Sequence, residues 1–530
     1  MIDGSIQSFP LTLDRILDHA AKWHPEAEVV TASESGTNSR VGYALLRQRA
    51  RKVSRVLHDF GVIRGARVAT LAWNSQAHVE AWFAIMGMGA VCHTLNPRVT
   101  ATQLAWMLGQ SDAKILIVSA DLLSLAMQLA ANTPGLERIL VIDGDTTGER
   151  LGAVELLSLE PLIAGATDDF EWGGFDECSP SGLCFTSGST GAPKGVTYTH
   201  RSNFLHTLRL LQADVLGLKS TDTVLPVVPM FHANAWGLPF TAPAAGARLV
   251  LPGRHADGAS LARLITAEEV TIAVGVPTVW LGLCEYLETT GAKVPSLQRI
   301  IVGGTPMPPA LMERIEGRLG IPVQTSWGMT ELSPVGTFGV MSDSVRNAGR
   351  SGRPALGVDL ILTDENGDPL EDQRDQEGRL HVRGAAVIER YFGQECPATT
   401  AQGWFDTGDL ARIDAQGNLM ITGRAKDLIK SGGEWINPAE IEAVVAALPQ
   451  VSLAAVIGRS DHKWGERPIL LVQMRADQDI SDQELLASLR GRVASWWIPD
   501  AVVRVPSMPL AATGKIDKIR LRQTFSGGWA

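Results

Sequence analysis

From residue 67 onward, apolar runs of strand length alternate with helix-length stretches: 67–73 then 76–89, 113–119 then 121–131, and 138–143. Unbroken apolar strands between helices mark βαβ units, whose parallel sheet is covered on both faces. The rhythm resumes at 223–228, 247–251, 270–276, 297–302 and 321–325. It predicts an α/β fold with two related layers in roughly the first 340 residues. Beyond them Asp364-Glu365-Asn366-Gly367-Asp368 and Asp414-Ala415-Gln416-Gly417-Asn418 are turns between short alternating strands, an antiparallel, β-barrel-like part.

A further change follows Gly423-Arg424-Ala425-Lys426-Asp427. Asn437-Pro438-Ala439-Glu440 supplies an N-cap, a proline at the first helical position and a capping-box glutamate. Ile441, Val444, Val445 and Leu448 then share one helical face. With strands near 453–458 and 468–474 and a helix near 482–495, the last ~100 residues read as a small, separate α+β domain.

Composition narrows the function. At 530 residues the chain exceeds one ordinary core, since domains run to ~100–200 residues. Its net charge of −10 supplies no global positive field for nucleic acid or an anionic membrane surface. Five cysteines, none in C-x-x-C spacing, argue against a disulfide framework and fit a reducing compartment. The start lacks a basic and an apolar signal region, so a cytoplasmic location is expected. The stretch 223–247 has no Asp, Glu, Lys or Arg, yet Pro226, Pro229, Pro239, Pro243, His232 and Asn234 make it a buried loop and helix beside a pocket rather than a membrane span.

The strongest chemical signal is Thr186-Ser187-Gly188-Ser189-Thr190-Gly191-Ala192-Pro193-Lys194-Gly195. Glycines allow close backbone approach, hydroxyls add donors and the lysine adds charge, a combination suited to a polyphosphate. It is not a Walker A loop, because Pro193 and Gly195 flank Lys194 where glycine and Ser or Thr would stand. A serine nucleophile at Ser187 or Ser189, as in an amidase, is a rival reading.

This run, together with Trp327-Gly328-Met329-Thr330-Glu331, Trp404-Phe405-Asp406-Thr407-Gly408-Asp409, Gly423 to Gly433 and Thr513-Gly514-Lys515, resembles the acyl-CoA synthetase, adenylation-domain and luciferase superfamily. The resemblance implies an AMP-forming ligation in two steps. A carboxylate attacks the α-phosphorus of ATP, giving an acyl-adenylate and pyrophosphate; a thiol then displaces AMP. It implies ATP, Mg²⁺ and coenzyme A, and a large domain over 1–423, a hinge at 424–428 and a small mobile domain over 429–530.

Carried over by position, the resemblance assigns Thr186, Ser187, Gly188, Ser189, Thr190, Gly191 and Lys194 to the β and γ phosphates. It gives Glu331 the Mg²⁺, Thr330 the α-phosphate, Asp409 the ribose hydroxyls, and Gly303, Gly304 and Thr305 the adenine, with Trp327 beside the nucleotide and Arg424 near ribose or phosphate. Lys515 would bridge the acid's carboxylate and the α-phosphate, and Lys426 would be the hinge. Lys430, Ser431, Gly432 and Gly433 would face the pantetheine arm in the second step. The acid would lie against His232, Trp236, Gly328, Met329 and Pro334.

Trp236 is bulky and narrows the expected pocket, favouring short or medium acids. The signature Phe231-His232-Ala233-Asn234-Ala235-Trp236-Gly237 is similar to that of medium-chain fatty-acyl-CoA ligases and of 3-methylmercaptopropionate-CoA ligases, the latter giving the first choice of acid. No carrier segment follows residue 515, which favours free coenzyme A, and a homodimer is the family expectation. A non-catalytic nucleotide sensor would have little use for Lys515 and Lys430.

Overall fold

The computed structural model describes residues 3–33, 36–146, 148, 150–186, 193–341, 346–432, 434–475, 478–511 and 515–525. Among them, eight strands form one sheet in the order Gly195–Thr199, Pro180–Phe185, Val91–Thr94, Arg67–Leu71, Ile115–Ser119, Arg138–Ile142, Val154–Ser158 and Arg150–Leu151. Its interior is parallel and its two edge strands antiparallel. Val91–Thr94 and Ile115–Ser119 are buried at every position, which is why they read as unbroken apolar runs.

The second sheet has nine strands among the described residues, with Thr223–Pro226, Ile272–Gly275, Arg299–Val302 and Val323–Gly328 parallel and adjacent. Its far side adds Arg248–Leu251 and, parallel to that, Glu28–Thr31 from the start of the chain. Ser39–Gly42 closes that edge as the second half of an antiparallel hairpin. The helices Asp14–Trp23 and Tyr43–Asp59 pack with this segment; Tyr43, Leu46, Ala50, Val53 and Leu57 give the long helix its buried stripe at three- and four-residue steps.

The part after residue 350 is a four-stranded antiparallel sheet of Val358–Thr363, Glu377–Gly384, Phe405–Ile413 and Leu419–Arg424. The C-terminal part is a five-stranded sheet dominated by the hairpin Val451–Asp461 and Gly465–Met474. Asn437 caps the helix Pro438–Ala446 by accepting from the Ala439 N–H at 3.1 Å, as its sequence predicts. The expected helix 482–495 is shorter and ends at Ala487. Ser488 turns its hydroxyl back onto the Leu485 carbonyl and Gly491 takes a φ of +74°, so the chain bends while Leu485 and Leu489 stay in the same core. Among the described residues no helix is long and apolar enough to cross a membrane.

Among the bonds that join the two parallel sheets, one side chain makes three. Asn74, just past Arg67–Leu71, donates from Nδ2 to the carbonyls of Pro226 (3.0 Å) and Val228 (2.9 Å) and accepts from the Met230 N–H at 2.7 Å. Replacing it with alanine leaves three backbone groups in a buried place without partners. Asn74→Ala is therefore expected to destabilise the large domain by about 2–4 kcal/mol, read from the midpoint of urea unfolding at unchanged m-value.

Candidate active site

The loops that carry the candidate residues leave the C-terminal ends of parallel strands, the side where open α/β sheets bind ligands. Thr186 follows Pro180–Phe185, residues 229–237 follow Thr223–Pro226, Gly303 follows Arg299–Val302, and Met329 follows Val323–Gly328. Thr186 donates its N–H to the Lys194 carbonyl at 2.8 Å, closing the base of the phosphate-loop candidate. Ser187, Gly188, Ser189, Thr190 and Gly191 lie outside the described residues.

Asp409 and Arg424 sit opposite each other on neighbouring antiparallel strands. Arg424 Nε lies 2.6 Å from Asp409 Oδ1, and the Trp327 indole N–H donates to Oδ2 at 3.0 Å. Burial raises the Asp409 pKa, and Arg424 is the strongest opposing influence. Each carboxylate oxygen retains acceptor capacity, so two further donors can be taken.

Glu331, on the short turn Thr330–Leu332, is buried and accepts from the Tyr391 hydroxyl at 2.9 Å. Lys194 Nζ lies 4.8 Å from the centre of the same Tyr391 ring. Burial raises the Glu331 pKa, opposed by the Tyr391 bond and more weakly by Arg424 and Lys194. Thr330 is buried, its carbonyl taking the Tyr198 hydroxyl at 3.0 Å. Gly328 must lack a side chain: a Cβ there would meet the Pro334 carbonyl oxygen at 2.3 Å. The Met329 N–H donates to that same oxygen at 2.9 Å.

Lys515 comes to this group from the C-terminal part. The residue opens to solvent, but protein surrounds it on most sides, and this desolvation pushes its pKa down to about 8. Arg424 and Lys426 push the same way, while Asp409 and Glu331 pull back. Lys426 lies on the turn Ala425–Asp427, its own pKa lowered by burial.

The pocket candidates stand on an unusual piece of backbone. Ala233, Asn234, Ala235 and Trp236 have φ of +45°, +54°, +46° and +55°, a left-handed turn of non-glycine residues. Each costs roughly 1–2 kcal/mol, so surrounding contacts must hold the turn. It presents the Trp236 indole to Gly303 and Gly304, where added Cβ atoms would stand 3.0 and 3.7 Å from the ring. Thr305 is half-buried beside them. The His232 imidazole is driven down to about 4 by burial, then by Lys515 and Arg98, and is neutral at pH 7.

Lys430, Ser431 and Gly432 are engaged elsewhere. Lys430 Nζ lies 5.2 Å from the centre of the Trp435 ring, Ser431 Oγ accepts from Arg467 at 3.3 Å, and the Gly432 N–H donates to the Trp464 carbonyl at 2.8 Å. Gly433 lies outside the described residues. Tyr391 and Arg98 had no local sequence signal; each gains meaning only from partners far along the chain. Among the described residues no cluster of three or more His, Cys, Asp or Glu could hold a metal ion.

Comparison with known proteins matches the AMP-binding enzyme model over residues 17–392 and the AMP-binding enzyme C-terminal domain model over 440–515. The chain is 38% identical to a 3-methylmercaptopropionyl-CoA ligase of Ruegeria lacuscaerulensis, covering 98% of each. It is 39% identical to a medium-chain-fatty-acid–CoA ligase of Ectopseudomonas oleovorans, covering 98% of this chain and 97% of that one. ATP-bound MatB from Rhodopseudomonas palustris superposes with a TM-score of 0.87 at 26% identity, covering 98% and 99%.

A lysine held near pKa 8 is a better nucleophile at neutral pH than a surface lysine. Dinitrophenylation followed residue by residue by mass spectrometry is expected to give Lys515 a rate profile with a midpoint near 8, against the usual value near 10.4. A midpoint above 10 would remove the enclosure inferred for it.

Proposed function

The chain belongs to the AMP-binding enzyme family as an AMP-forming acyl-CoA ligase working with ATP, Mg²⁺ and coenzyme A, and from that premise we propose that its acid is short or medium in length, 3-(methylthio)propionate first. The observation that supports this is the Trp236 indole laid against Gly303 and Gly304; a ring of that size would shorten the space behind His232. A medium-chain fatty acid is the second reading, supported by the equal likeness to the Ectopseudomonas enzyme.

In the first half-reaction a carboxylate oxygen bonds to the α-phosphorus and the bond to the β-phosphate oxygen breaks, releasing pyrophosphate. Positioning and charge do the work. Lys515, among Asp409, Glu331 and Arg424, is suited to hold the attacking carboxylate and the α-phosphate together, with Thr330 beside them. Lys194 and the loop from Thr186 take the outer phosphates. Asp409, fixed by Trp327 and Arg424, accepts the ribose hydroxyls, while Gly303, Gly304 and Thr305 line the adenine. The neutral His232, with Gly328, Met329 and Pro334, bounds the carboxylate end of the pocket.

Mg²⁺ fits Glu331: Tyr391 donates to one oxygen, and the carboxylate's other oxygen would hold a hard ion. The ion supplies charge neutralisation on the leaving phosphates. In the second half-reaction the thiol of coenzyme A attacks the acyl carbon, its proton is lost, and AMP leaves. We assign the large domain to 1–423, the hinge to 424–428 with Lys426 as pivot, and the small domain to 429–530. Rotation would withdraw Lys515 and present Lys430, Ser431, Gly432 and Gly433 to the pantetheine arm. A cytoplasmic setting and a homodimeric assembly belong to the same proposal.

Two outcomes check this reading. Lys515→Ala should lose on the order of 10² to 10³ in adenylate formation, measured by pyrophosphate release, with far less loss in thioester formation from a supplied acyl-adenylate. Because the reactive form is the charged lysine and its pKa is lowered, wild-type kcat/KM for adenylation should fall as pH rises through about 8.

An acid panel checks the substrate. Pyrophosphate release with and without coenzyme A should be highest for 3-(methylthio)propionate and acids of similar length. Trp236→Ala should raise kcat/KM on octanoate about tenfold, since each added buried methylene is worth about 0.8 kcal/mol. A uniform loss on every acid would make the indole structural support and end the case for a short substrate.

A further inference from the structure

The helix His200–Leu210 lies outside the residues so far assigned to the reaction, yet three of its side chains at successive three-residue steps hold both the left-handed turn and the chain just after Pro334. Asn203 is buried; its Oδ1 accepts from Asn234 Nδ2 at 3.4 Å, within the left-handed turn, and its Nδ2 donates to Ser181 Oγ at 3.2 Å. His206 packs on Gly237 at the end of that turn, where an added Cβ would lie 2.7 Å from its Nδ1. Its other nitrogen, Nε2, accepts the Val335 N–H at 3.1 Å, directly after Pro334. Burial keeps this imidazole far below its ordinary pKa, and hence neutral and able to accept.

Arg209 completes the set. It is buried, and its guanidinium donates to carbonyl oxygens alone: Val335 at 3.1 Å, Leu356 at 3.2 Å and Gly357 at 3.5 Å. Burial lowers its pKa, and among the described residues no carboxylate acts against that shift. A buried charge without a counter-charge is a net cost to stability. Its worth lies in the rigid fork, which fixes three carbonyls at once. Val335 is thereby held from both sides, its N–H by His206 and its carbonyl by Arg209.

We propose that this helix sets the length of the acid pocket, with Asn203, His206 and Arg209 as positioning residues that keep the Trp236 wall and the 328–335 wall at a fixed separation. The inference rests on the reading of Trp236 as the closed end of the pocket. Asn203 and His206 hold the strained turn that aims the indole, and His206 and Arg209 hold the strand end that faces it. None of the three touches the acid. A change in any of them moves one wall relative to the other and alters which acids fit, while the nucleotide side keeps its own anchors at Asp409 and Glu331.

The test compares Asn203→Ala and Arg209→Lys with Trp236→Ala on butyrate, octanoate and dodecanoate, at a temperature where each variant is folded by circular dichroism. Each helix variant should raise the octanoate-to-butyrate ratio of kcat/KM about fivefold, through KM for the acid rather than kcat, with KM for ATP changed less than about twofold. An unchanged ratio with a uniform loss of activity, or a lowered Tm alone, would make these residues structural and overturn the proposal. Should Arg209→Lys fail to fold, Asn203→Ala decides the matter. If Trp236→Ala shifts the ratio and the helix variants do not, the helix inference falls and the pocket reading stands; if Trp236→Ala leaves the ratio unchanged, the pocket reading falls first.

Discussion

The candidate site depends on how two parallel sheets are held against each other, by a shared apolar core and by polar contacts of which the Asn74 amide makes three. Its donors and acceptor are all used on the backbone between Pro226 and Met230, the segment that goes on to form the left-handed turn. No other residue type satisfies two carbonyls and one N–H with so short a side chain. The position of one sheet is thus passed to the other through a hydrogen-bonded point, and the strained turn beyond it begins from a fixed place.

The electrostatics follow from enclosure. The same protein surroundings raise the pKa of Asp409 and Glu331 and lower that of His232, since each charged form has lost water, and crowding by the same protein lowers that of Lys515 and Lys426, whose residues still reach solvent. Lys194, Arg424 and Lys515 nevertheless act on Asp409 and Glu331. A chain with a net charge of −10 can therefore still gather cations in one cleft. Overall charge excluded a broad anionic partner without speaking to this cleft.

Much of the fold was legible because burial on both sheet faces writes itself as apolar runs, and the motif loops were legible because glycine, hydroxyl and lysine spacing is local. The hairpin Glu28–Thr31 and Ser39–Gly42 was not, because its partner strand lies in another part of the chain. The helix expected to reach residue 495 stops at Ala487, since a period of apolar residues continues through Leu489 after the helix has ended and before the chain turns at Gly491. Tyr391 and Arg209 were silent for a related reason. A tyrosine that orients Glu331 and an arginine that binds carbonyls look, in sequence, like any surface aromatic or charge.

That first strand has a consequence for how the chain is made. Val29 pairs with Leu249, so the opening segment of the protein cannot find its place in the sheet until roughly 220 more residues have been synthesised, some 10 to 45 seconds at ribosomal speeds of about 5–20 residues per second. During that interval Glu28–Thr31 can pair only with its own hairpin partner, and its other edge stays open to any passing strand. The nascent chain thus carries this strand edge unpaired until Arg248–Leu251 arrives to close it.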